Sequence, residues 1–180
     1  MDAADLRARQ RPLKERYRAD PPAALVTLSA SAELSDSEVS CSVQTGHQLV
    51  EAGLHPATGG EGALACSGDM LLQALAACAG VTMRAIAAAR GLQVSGRLHA
   101  EGELDFRGTL GIARDAQVGF STIRLLADLD TAATPEQVAD LLSATERYCV
   151  VLQTLTGGVE VSLSRADTPP DGEQPHRDAS

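Results

Sequence analysis

The sequence predicts an α+β fold built mainly from antiparallel sheet. Three observations carry this reading. Strand-like segments follow one another in runs, which favours hairpins over βαβ crossovers. Two segments carry helix punctuation, and one of them is apolar on every side. Aromatic residues make up only 2% of the 180 residues, with no Trp, so the core must be Ala, Leu and Val packed at close approach.

The elements follow in chain order. Residues 3–18 are rich in Leu, Ala, Arg, Lys and Glu and predict a short helix, ended by Asp20-Pro21-Pro22 because proline disfavours helix before it. Residues 24–30 predict a strand, with residues 38–44 as its hairpin partner and a further strand near 48–52. His55 to Gly62 reads as a loop, and Gly59-Gly60 as a tight turn within it. A long helix is then expected, with Ser67 as cap, Asp69 in the first turn and Gly91 as terminator. From Met70 to Met83 only Gln73 and Thr82 are polar, so this helix is expected to be buried all round, and a second subunit is an economical way to bury it.

Two long strands are expected over about 92–105 and 116–129. The second is interrupted at Gly119 and carries Ile123, Leu125, Ala127 and Leu129 on one face. Thr134-Pro135-Glu136-Gln137 opens another helix with a cap, a first-turn proline and a capping-box Gln. Val138, Leu142, Thr145, Cys149 and Leu152 fall close to one stripe of it. Residues 159–163 predict a last strand. Beyond Arg165 come three prolines and four acids without apolar periodicity, the composition of a disordered tail. The expected organisation is a basic arm or helix over 1–23, one domain over 24–164 and an acidic tail over 165–180.

Charge narrows the function. The net charge is −9. Residues 1–20 hold six of the fifteen basic groups and four acids, leaving nine basic against twenty acidic groups in the remainder. An acidic, aromatic-poor body argues against nucleic acid and anionic membranes as partners. The N-terminus shows no apolar leader, and the longest uncharged apolar stretch, 70–83, has 14 residues, short of the roughly 18–20 needed to cross a bilayer. A cytoplasmic, reducing location is the expectation, in which cysteines are more often free or catalytic than disulfide-bonded.

Four cysteines stand at 41, 66, 78 and 149. They form no CxxC or HxxxH pattern, so neither a zinc site nor any other cofactor is expected. Cys78 shares a helical line with Leu71, Leu75 and Thr82, and Cys149 lies on the apolar line of its own helix. On spacing alone an inert core thiol is the simpler reading of both. His47, His55 and His99 belong to no pattern and read as surface or loop residues. Gly59-Gly60-Glu61-Gly62 lacks the lysine of a phosphate loop, which excludes that reading.

Two segments change the balance. Gly59-Gly60, then Ser67-Gly68-Asp69-Met70-Leu71-Leu72-Gln73-Ala74-Leu75-Ala76-Ala77-Cys78-Ala79-Gly80-Val81-Thr82, resembles the central-helix motif of the OsmC/Ohr family, roughly GG, a loop, then P-x-E-L-L-x-A-L-x-x-C-x-x-x-T. Glu146 to Leu155 resembles the family's second cysteine motif, usually C-P-V-x-x-x-L. The resemblance spans about residues 24–164. It implies an OsmC-like α+β fold, with mainly antiparallel sheets wrapped around two central helices in an intertwined homodimer. It further implies that Cys78 is a peroxidatic thiol and Cys149 its resolving thiol, acting on organic hydroperoxides and restored by a dithiol reductant. The family's acid and its thiolate-pairing arginine, which comes from the N-terminal region, point to Asp69 and to Arg16 or Arg18. A surface arginine and a helix-start carboxylate are the plain alternatives for these.

The chain departs from the pattern at three places. Ser67 stands for the proline, Asp69 is one methylene shorter than the usual Glu, and Val150 replaces the proline after the second cysteine. A thiol among apolar side chains needs a favourable charge nearby to ionise. The uncertain arginine therefore keeps open a non-catalytic, dimeric ligand-binding or redox-sensing protein of the same fold, and a purely structural role for all four cysteines. Cys41 and Cys66 match no family cysteine and are expected to be dispensable.

Overall fold

The computed structural model describes residues 3–35, 39–45 and 48–163. His47 and the tail beyond 163 lie outside them.

The order of elements is α1 (Ala3–Ala19), β1 (Ser31–Leu34), β2 (Ser40–Thr45), β3 (Gln48–Gly53), α2 (Ser67–Ala89), β4 (Val94–Leu104), α3 (Phe106–Thr109), β5 (Phe120–Thr131), α4 (Pro135–Tyr148) and α5 (Val150–Gly157). β1, β2 and β3 form one antiparallel sheet in sequence order, and β4 pairs antiparallel with β5 in a second. This is the α+β arrangement the hairpin pattern predicts.

α1 forms where its composition places it, although it runs through Pro12 and buries none of its residues. It ends before a 3-10 turn over Pro21–Ala24. The strand expected over 24–30 is not there. Residues 25–30 form no ladder, and the hairpin partner of β2 is β1, which starts at Ser31. Alternating apolar residues mark a strand only where a partner strand satisfies the backbone, and within this chain Leu25, Val26 and Leu28 stay exposed. The Gly-Gly turn is real. Gly59 is left-handed at φ 93°, closing a 3-10 turn over Pro56–Thr58, and a Cβ on Gly60 would collide with the Leu54 carbonyl.

α2 begins at Ser67 itself, so its cap falls one residue earlier than expected. Cys66 occupies the N-cap without a side-chain hydrogen bond, and Gly91 follows the C-cap with φ 71°. Within one chain the burial is one-sided. Leu75, Ala79, Met83 and Ala87, each four residues on, form the buried stripe, while Val81 on another face is 73% exposed.

β4 and β5 present alternate residues to α2. Leu98, Ala100, Ile123, Leu125 and Leu129 pack inward, as the alternation of the second strand predicts, and β5 starts directly after Gly119. Met83, Ala87, Val94 and Leu141 make one core cluster; Leu75, Ala79 and Cys149 make the other. Arg84 ties α2 to β4 by donating to the Val94 carbonyl.

α4 carries the full capping box. Gln137 N–H donates to Thr134 Oγ1 at 3.3 Å, and Thr134 N–H donates to Gln137 Oε1 at 2.9 Å. Its expected stripe needs two corrections. Leu141 is buried rather than Leu142, and α4 stops at Tyr148, so Cys149 and Leu152 are not on its surface. The strand expected at 159–163 is also absent: these residues form no ladder among the described ones, and Val161 and Leu163 are exposed. The physical reason matches that at 25–30, an alternating segment without an edge to join.

Candidate active site

The site is built on the joint between α4 and α5. Cys149 has extended backbone, φ −74° and ψ 110°, and serves both as the C-cap of α4 and as the N-cap of α5. Its N–H closes α4 on the Thr145 carbonyl at 2.9 Å, and its carbonyl accepts from Gln153 N–H at 2.9 Å to open α5. Gln153 Nε2 reaches back to the Glu146 carbonyl at 2.9 Å. That bond satisfies one of the carbonyls a helix end leaves free, and it braces the bend. Thr145, itself buried, donates from Oγ1 to the Leu141 carbonyl at 2.8 Å. Cys149 is fully buried as a result.

Cys78 meets this joint from α2. It packs on the cluster of Leu75, Ala79 and Cys149 together with Val151 and Leu152 from the first turn of α5. Burial alone would push its thiol up. Four donors outweigh that: the amides of Val151 and Val150, the Cys149 thiol and the Thr82 hydroxyl, which together hold Cys78 below the ordinary thiol value. The amides are those of a helix N-terminus that no side chain caps, so they carry both free N–H groups and the positive end of the helix dipole. Cys149 shifts the other way. Its own burial raises it first, the Leu152 amide opposes, and the neighbouring Cys78 raises it further. The two neighbouring thiols are thus shifted in opposite directions. All four cysteines are free.

Leu75, Ile123, Leu125 and Leu152, which surround the pair, also line an open groove of about 840 Å³ between α2, β5 and the α4–α5 joint. Its walls are mostly apolar, with Thr145 and Glu146 on the α4 side. This is the size and character of a small-molecule pocket.

The remaining expected residues fall elsewhere. Asp69 precedes Cys78 by nine residues, which is about 13–14 Å along the axis and half a turn around it. It is exposed beside Leu72, Gln73, Leu98, His99 and Ala100 on another side of α2. Arg16 and Arg18 are exposed on α1, which touches α2, and neither is among the groups acting on the Cys78 thiol. Cys41 pairs with Ala52 inside the first sheet, and Cys66 caps α2, so neither joins the Cys78 cluster. His99 is exposed, 3.8 Å from Glu101. His55 orders its loop, accepting from Ala57 N–H at Nδ1 at 3.0 Å and stacking on Phe106 at 4.8 Å. No group of three or more His, Cys, Asp or Glu able to hold a metal occurs among the described residues.

Sequence reasoning missed Val150, Val151 and Gln153. Their roles belong to the backbone and to a bend that the apolar stripe concealed. One signal was present: a valine stands where the resembling motif has proline.

Comparison with known proteins bears on this site. The OsmC-like protein family model matches residues 60–164. The chain belongs to the OsmC-like family. No curated protein matches the sequence. Among solved structures, an OsmC-like protein from Mycoplasma pneumoniae superposes with a TM-score of 0.62 at 16% identity, covering 74% of this chain and 89% of the other. An organic hydroperoxide resistance protein from Elizabethkingia anophelis gives 0.59 at 16%, covering 76% and 93%. One from Legionella pneumophila, described as OsmC and a predicted redox protein, gives 0.57 at 20%, covering 76% and 94%. At these identities the likeness is one of fold.

Proposed function

We propose that this protein is a thiol peroxidase that reduces organic hydroperoxides through Cys78 and Cys149. The observation that carries this is the contact of two thiols with opposite tendencies: Cys78 held below the ordinary thiol value, and Cys149 beside it held above. Structural cysteines have no need of such an arrangement. The Cys78 thiolate attacks the outer oxygen of the hydroperoxide. The O–O bond breaks, the alkoxide leaves and takes a proton to become the alcohol, and Cys78 becomes a sulfenic acid. Cys149 sulfur then attacks the Cys78 sulfur, a disulfide forms and water departs. A dithiol reductant exchanges with that disulfide and returns both thiols. The apolar groove is lined by neighbours of the pair rather than by the thiols themselves, and it would suit an organic chain better than hydrogen peroxide.

A cytoplasmic setting suits this cycle, since it supplies reductant. α2 is long and apolar enough to cross a bilayer by length and composition, because the helix extends past the uncharged stretch to include Asp69 and Arg84. Its buried stripe and the Arg84 bond to β4 support a core helix instead.

The working unit in this proposal is a homodimer of OsmC-like domains spanning 24–164, with 1–23 as a basic helical arm and 165–180 as an acidic tail. Three apolar surfaces support a second copy: Val81 on α2, the unladdered residues 25–28, and Val161 with Leu163. Sedimentation at micromolar concentration is expected to show a dimer, and a stable compact monomer would contradict it. The non-catalytic ligand-binding or redox-sensing alternative rests on the unplaced arginine; the donors that lower the Cys78 thiol favour turnover over it. The direct test is consumption of an organic hydroperoxide with a dithiol. Wild type should turn over and Cys78→Ser should not.

A further inference from the structure

We propose that Phe120 closes one end of the groove beside the thiol pair and sets the longest hydrocarbon chain the site accepts. The inference deepens the peroxidase reading and rests on it for its ligand, the apolar tail of an organic hydroperoxide. It starts from the alternation of β5. Ile123, Leu125 and Leu129 pack inward, so in a regular strand Phe120 would point to the opposite face. The ladder breaks that rule. Glu103 pairs with Thr122 and Leu104 with Phe120, which leaves Ser121 as an extra residue. Such a bulge re-aims the side chain beside it. Phe120 is turned to the inward face, and it lines the groove.

Two glycines make room for the ring. A Cβ on Gly102 of β4 would come within 2.5 Å of it, and one on Gly68 in the first turn of α2 would stand 3.4 Å from its Cζ. Phe120 therefore spans the gap between the sheet and the start of α2. The backbone around it is held from both sides: Gln117 Nε2 donates to the Phe120 carbonyl at 2.9 Å, and Ser121 Oγ donates to the Glu103 carbonyl at 3.2 Å. Leu71, Leu75 and Leu152 line the same groove, and Leu75 and Leu152 also belong to the cluster that holds both thiols. Leu71, one turn beyond Gly68, precedes Cys78 by seven residues, about 10 Å along the helix. A tail that starts near the pair thus meets the ring at about that distance. The α4 side of the groove offers Ser143, Thr145 and Glu146 instead, so an apolar tail is better placed toward Phe120. Phe120 belongs to the groove and not to the thiol cluster, so its part is specificity rather than chemistry.

The test uses the full chain and n-alkanols of increasing length, the product class of the reaction, as inert probes. Their affinity is read by calorimetry without any turnover. Each methylene buried in the groove should raise affinity about fourfold, until the chain reaches Phe120 and the rise stops. Phe120→Ala should move that cutoff to longer chains, and Phe120→Leu should move it less. Leu142→Ala, on the α4 side of the groove, should leave it in place. An unmoved cutoff in folded Phe120→Ala, or an equal shift in Leu142→Ala, would overturn the proposal. So would the lack of alkanol binding at every length, the result expected if a second copy covers the groove.

A second measurement needs no variant. The chain has two phenylalanines, and Phe106 stacks on His55, so its ring serves as an internal control. In wild type the Phe120 ring resonances should shift only as the alkanol length nears the cutoff, with Phe106 unmoved. Phe120 resonances that ignore the longest bound chain would overturn the proposal as well. Turnover of n-alkyl hydroperoxides is read separately. An alkanol cutoff that moves in Phe120→Ala, in a protein without turnover, keeps Phe120 as the length gate and sinks the peroxidase reading. Turnover with the same chain-length profile in wild type and Phe120→Ala does the reverse.

Discussion

The two halves of the chain are held together differently. From α2 onward, two buried clusters join α2 to β4, β5, α4 and α5, and Cys78 and Cys149 sit in one of them. Among the described residues before α2, the only buried hydrophobic one is Ala52, α1 buries nothing, and Leu25, Val26 and Leu28 are exposed. The cysteines follow the same division. Cys78 and Cys149 touch and shift each other, while Cys41 and Cys66 are spread over the first sheet and a helix cap. Residue type alone thus says little about a thiol. What decides is whether a packed framework brings donors and a second sulfur to it.

The largest expected effect is on turnover. Cys78→Ser should reduce dithiol-dependent peroxide consumption to the uncatalysed background, since a hydroxyl at that position is not a comparable nucleophile. Retained turnover would move the reactive thiol into the other half of the chain.

Stability should divide along the same line. Leu141 is fully buried in the cluster with Met83, Ala87 and Val94, and Leu141→Ala should cost about 2–5 kcal/mol in urea unfolding. Leu28→Ala, at an 88% exposed position, should cost little within one chain and act on dimer dissociation instead. Equal losses of chain stability would erase the contrast.

A smaller effect concerns pH. Cys78 is an acid whose folded value is lowered, so its thiolate is present above that value and is lost as pH falls through it. Peroxide consumption should rise with pH through a midpoint below that of an unperturbed cysteine thiol measured alongside it. A midpoint at or above that value would show that burial outweighs the donors. The smallest effect is the expected absence of one. Cys41→Ser/Cys66→Ser should keep full turnover, and its loss in a folded protein would make Cys66 the resolving thiol.

Much of the fold was legible because it is written in side chains. The Thr134 to Gln137 capping box, the inward face of β5 and the Gly59-Gly60 turn are local patterns, and each appears where it was expected. The segments 25–30 and 159–163 misled because alternation reports a wish for a partner strand, and no ladder forms on them within one chain. The contact of Cys78 with Cys149 follows the order of the two motifs. Its electrostatics did not follow from them. Asp69 and Arg16 or Arg18 were sought as charged side chains, whereas the groups at Cys78 are backbone amides exposed by a bend at Cys149. A stripe running from Val138 to Leu152 gave no hint of that bend, because apolar spacing continues across it.

The central claim is that Cys78 and Cys149 form one redox unit. The most direct measurement is peptide mapping by mass spectrometry after one equivalent of an organic hydroperoxide. Wild type should yield a Cys78–Cys149 linked peptide, and Cys149→Ser should instead leave Cys78 as sulfenic acid or a higher oxide. Cys78 left unmodified while peroxide continues to be consumed would contradict the account.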